Sequence, residues 1–123
     1  MAQEPASPDA APRQQPFTLY AAGGRVYATN AARKLVDLGA LWRDGAGFHY
    51  LLDGNKMEGH GLITAEAALR EIAQRVSFLY LDGQFTALTD LRGADGLALG
   101  DAVRLDITLD ELAPGERIQN AKA

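Results

Sequence analysis

The chain has 123 residues, 47% of them hydrophobic and 23% charged, with a formal net charge of −4 and no cysteine. This length and balance predict one folded core rather than two domains or a wholly disordered chain. The missing cysteine excludes disulfides, thiol nucleophiles and cysteine zinc sites, and the acidic balance gives no broad attraction for phosphate backbones or anionic lipid.

Four of the five prolines, Pro5, Pro8, Pro12 and Pro16, fall among Ala, Gln, Ser and Asp, so residues 1–16 read as a disordered leader. The leader carries acidic Glu4 and Asp9 and no apolar segment, unlike a secretory signal, and no apolar run reaches the ~18–20 residues of a membrane span. The expected compartment is the cytoplasm, with no membrane partner. Residues 17–113 form the expected domain, and the polar stretch 114–123 reads as a flexible tail.

Phe17–Tyr20 and Arg25–Thr29 flank Gly23-Gly24, the pattern of two antiparallel strands joined by a glycine turn. Asn30 then predicts the cap of a short helix through Leu38, with Leu35 and Leu38 facing the core and Gly39 as its left-handed stop. Leu41–Arg43 and Phe48–Leu52 surround Asp44-Gly45-Ala46-Gly47, a second hairpin, and Asp53-Gly54-Asn55 ends its strand. From Thr64 onward, Ala65, Ala68, Leu69, Ile72 and Val76 recur at helical spacing opposite Glu66, Arg70, Glu71, Gln74 and Arg75. This predicts a helix of about three turns capped by Thr64.

Ser77–Leu81 and Gln84–Leu88 bracket Asp82-Gly83, a type I′ hairpin signal. In that register Tyr80 opposes Phe85 on one face, while Leu79 opposes Thr86 and Leu81 opposes Gln84 on the other. The second face would then be covered or would meet a partner. Val103, Leu105, Ile107 and Leu109 alternate with Arg104, Asp106 and Thr108, which predicts a last strand with one dry face. Leu99–Leu105 resembles the Gly-Asp turn that enters a strand in many small β-barrels, including swapped-hairpin transcription regulators and antitoxins. Gly-Asp makes a good turn before any strand, and the resemblance covers seven residues. The expected fold class is a small single-domain α+β protein, mainly an antiparallel sheet built from hairpins, with two helices, one short and one of about three turns.

Three functional readings follow from the side chains. No Gly-x-Ser-x-Gly turn, phosphate loop or dinucleotide fingerprint is present, so no catalytic residue and no cofactor is assigned. This favours a non-catalytic binding protein, an adaptor, regulator or inhibitor acting through a protein partner or self-association, with Leu79, Leu81, Gln84 and Thr86 as its interface. Its acidic C-terminal half, with Asp82, Asp90, Asp95, Asp101, Asp106, Asp110 and Glu111 against Arg92 and Arg104, suits a basic partner. The alternative is a nucleic-acid-binding regulator using Arg25, Arg33, Lys34 and Arg43 around the first helix. The third is a metal-dependent enzyme in which His49, Asp53, Glu58 and His60 gather through a glycine-rich loop, although their spacing matches no metal motif.

Overall fold

The computed structural model describes residues 14–93 and 99–111. The elements are β1 (Gln14–Ala22), β2 (Arg25–Thr29), β3 (Leu35–Asp44), β4 (Gly47–Leu52), β5 (Glu58–Leu62), α1 (Ala65–Arg75), α2 (Phe78–Ala87) and β6 (Val103–Asp110). The strands form one antiparallel sheet in the order β5-β4-β3-β2-β1-β6. This is the expected α+β domain of hairpin-built sheet and two helices. No helix among the described residues is long and apolar enough to cross a membrane.

Residues 1–13 and 112–123 lie outside the described residues, and with them most of the expected leader and the expected tail. Gln14, Gln15 and Pro16 open β1, opposite Asp110, Leu109 and Thr108. Pro16 is tolerated because β2 pairs with β1 only from Thr18 onward, so the side on which proline lacks a donor carries no ladder.

Helix α1 touches β6 and β1 as well as β4 and β5. Six flat strands span about 24 Å and an eleven-residue helix about 16 Å, so contact with both edge strands requires the sheet to curl around the helix. Val26, Val36, Leu38, Leu52, Leu69, Ile72 and Leu81 fill the space so enclosed. Thr64 caps α1 as expected, its hydroxyl accepting from the Ala67 N–H.

Three segments depart from expectation. Residues 30–38 form no helix: Asn30–Lys34 is a loop and Leu35 begins β3. The Asn30 side chain does accept a backbone N–H, that of Lys34, but it closes the loop between β2 and β3. Leu35 and Leu38 are buried as expected, as strand residues. Gly39 is not a helix stop; its Cβ would lie 2.4 Å from the Leu51 carbonyl oxygen, so glycine permits β4 to approach β3 at a bulge.

The Asp82-Gly83 hairpin is also absent, because residues 78–87 form α2, capped by Ser77. Phe78, Leu81 and Phe85 lie at helical spacing, and Phe78 and Phe85 meet Phe17 at ring distances of 6.2 and 5.8 Å. Burying this row against the sheet outweighs a glycine in mid-helix, which costs about 1 kcal/mol relative to alanine. Glu58–Leu62, expected to be a flexible loop, pairs with β4 as edge strand β5.

Candidate functional sites

Successive residues of β4 point to opposite sides of the sheet. Tyr50 points inward and is fully buried. Its hydroxyl donates to Glu71 Oε2 at 2.6 Å and accepts from Arg75 Nη1 at 2.6 Å, and Arg75 also donates to the Glu58 carbonyl at 2.8 Å. Burial, helped by the Glu71 carboxylate, pushes the Tyr50 phenol up to about 12. The network ties α1 to β4 and β5. Gly59 makes room for it, since a Cβ there would lie 2.4 Å from the Tyr50 ring.

His49 points outward yet is only 7% exposed. Its Nδ1 lies 3.1 Å from Nδ1 of His60, and its Nε2 lies 2.7 Å from Oδ1 of Asp44. Nε2 of His60 stands 3.3 Å from Glu58 Oε1. Carboxylates only accept, so each Nε2 is satisfied by carrying its ring's proton, which turns the lone pairs of the two Nδ1 atoms toward each other. Hydrogen bonds from His49 and from the Ala46 N–H hold the Asp44 carboxyl below its ordinary range. The Trp42 ring lies 5.6 Å from that of His49 and is 40% exposed.

Of the expected ligands, His49, Glu58 and His60 therefore meet, while Asp53 does not. Four residues along a strand amount to about 13 Å, and the Asp53 carboxylate instead stands 3.6 Å from Arg25. Asp44 takes its place, brought in because the two-residue turn at Gly45-Ala46 folds β3 back onto β4. Among the described residues, no group of three or more His, Asp and Glu side chains is arranged to hold a metal ion.

The expected basic cluster has no helix to sit on. Arg25 Nε donates to both Asp37 oxygens at 3.1 and 3.0 Å, a contact that raises its pKa. Lys34 Nζ donates to the Phe85 carbonyl in the last turn of α2, where a cation suits the helix end. Arg33 occupies a left-handed turn at φ +68°, and Arg43 lies 5.8 Å over the Phe48 ring.

The expected interface residues are also dispersed by the helix. Leu81 is fully buried, Gln84 is half-buried, and Thr86 is exposed with its hydroxyl donating to the Asp82 carbonyl. Leu79 lines a groove of about 550 Å³ with Asn55, Met57, Arg75, Ser77 and Tyr80. The Tyr80 hydroxyl donates to the Asp53 carbonyl at 2.8 Å, and burial pushes this phenol up to about 12. The groove forms where α1 gives way to α2 beneath the β4–β5 loop. Sequence reasoning singled out Leu79 but not the surrounding wall, which joins residues 55–57 to residues 75–80. Compared with family models, curated proteins and solved structures, the chain gives no match.

Proposed function

We propose that the chain is a non-catalytic binding protein, an adaptor, regulator or inhibitor that works by protein–protein contact, and that the groove beside Leu79 receives its partner. The observation that supports this reading is the composition of the groove wall. Met57, Leu79 and Tyr80 offer apolar surface, and methionine adapts its shape to an incoming side chain. Arg75 and the first turn of α2, which starts after Ser77, bring positive charge to the same place. The complementary partner presents an apolar side chain next to a carboxylate, either acidic or C-terminal.

The test is a peptide library displaying apolar–acidic and apolar C-terminal pairs, selected on the full chain and followed by fluorescence anisotropy. Leu79→Glu is expected to weaken the selected peptides at least tenfold with the circular dichroism unchanged, and Thr86→Glu, outside the groove, to leave binding as it was. Equal affinity in the Leu79→Glu variant would reject this surface as the binding site.

A further inference from the structure

We propose that His49 and His60 form a binding site for a divalent transition-metal ion, held between their two Nδ1 atoms while Asp44 and Glu58 accept from the two Nε2–H groups. Neutral imidazole is a ligand for copper, nickel and zinc. A metal-bound histidine ordinarily donates its other ring N–H to a carboxylate, which fixes the tautomer and aims the free nitrogen. Both rings here have that support, from Asp44 at 2.7 Å and Glu58 at 3.3 Å.

The span between the donor atoms also fits. With metal–nitrogen bonds of about 2.0–2.1 Å, two nitrogens on one ion stand about 2.9 Å apart in square-planar and about 3.4 Å apart in tetrahedral geometry. The Nδ1 atoms are 3.1 Å apart. His49 is held by burial on an inner strand, whereas the His60 side chain, 58% exposed on edge strand β5, is free to turn its lone pair toward a shared ion. The ion takes the place between the two Nδ1 lone pairs, and the Nε2 protons stay opposite Asp44 and Glu58. Water completes the coordination, so affinity follows the order of imidazole preference, with Cu²⁺ tightest and Mg²⁺ and Ca²⁺ without effect.

The chain has a single tryptophan, and its ring lies 5.6 Å from His49. Titrating the full, untagged chain with Cu²⁺ or Ni²⁺ is therefore expected to quench Trp42 fluorescence, saturating at one equivalent. His60→Ala should weaken the effect more than tenfold, and Glu58→Gln by about tenfold, as loss of a carboxylate behind a ligating histidine does. A second measurement on the unaltered chain is independent of any variant's folding: with Zn²⁺, the imidazole nitrogen spectra should move at Nδ1 of both rings. Quenching that persists in His60→Ala, as an ion held elsewhere would give, overturns the proposal. So do spectra that place zinc on Nε2 or on one ring alone.

Discussion

Tyr50 and His49 are neighbours in one strand, and each anchors a polar network on its own side of the sheet. On the inner side the Tyr50 hydroxyl is enclosed, and Glu71 and Arg75 meet it at hydrogen-bond distance. The hydroxyl itself is covered although Arg75 and Glu71 are 43% and 36% exposed, and a buried polar group so satisfied fixes one helix position. On the outer side His49 is covered, but its partners are exposed and the two Nδ1 atoms face each other at 3.1 Å. A buried hydroxyl with a donor and an acceptor already in place serves structure, whereas two ring nitrogens that face each other leave room for a ligand.

The strongest way to break the inner network is Gly59→Ala. A Cβ there would stand 2.4 Å from the Tyr50 ring and 2.6 Å from Glu71, and relieving that overlap should cost about 3 kcal/mol in urea unfolding. Tyr50→Phe keeps the packing and removes the shared hydroxyl, and because Glu71 and Arg75 are partly exposed and can turn to water, the cost should be about 1 kcal/mol. The same phenol gives the inner side a pH signature. Its folded pKa of about 12 lies above the ordinary 10.0, so the folded state holds the proton more tightly than the unfolded chain. Stability is then full below pH 10 and falls as pH rises through about 12. Tyr80 behaves alike, so Tyr50→Phe should reduce the alkaline loss without abolishing it. His60→Ala, on the outer side, should cost about 1 kcal/mol or less, since it deletes one mostly exposed contact of His49. A loss equal to that of Gly59→Ala would erase the contrast between the two faces.

Much of this architecture was legible in local pattern. The glycine turn after β1, the tight turn at residues 44–47, the Thr64 cap with its helical row, and the alternation of β6 each carry their signal within about ten residues. The segments that were misread carry two signals at once. Asp82-Gly83 has the residues of a hairpin turn, but Ser77 caps a helix and Phe78, Leu81 and Phe85 repeat at its period; Phe17, sixty residues away, supplies the aromatic surface that decides between them. Asn30 through Leu38 reads as a capped helix until β2 on one side and β4 on the other require a strand.

The candidate sites follow the same division. His49, Glu58, His60 and Leu79 were identifiable as residue types with chemistry to offer. Asp44 and not Asp53 joins the histidines because hairpin pairing brings turn residues together while extension along one strand separates them by about 3.3 Å per residue. Local pattern was enough to set the class of fold, the Thr64 cap and most turns, since these depend on backbone preferences and on spacing within a single element. Only the tertiary structure decided that α2 is a helix, that residues 58–62 are a strand, and which side chains share a site, because those outcomes depend on burial against surfaces supplied by distant parts of the chain.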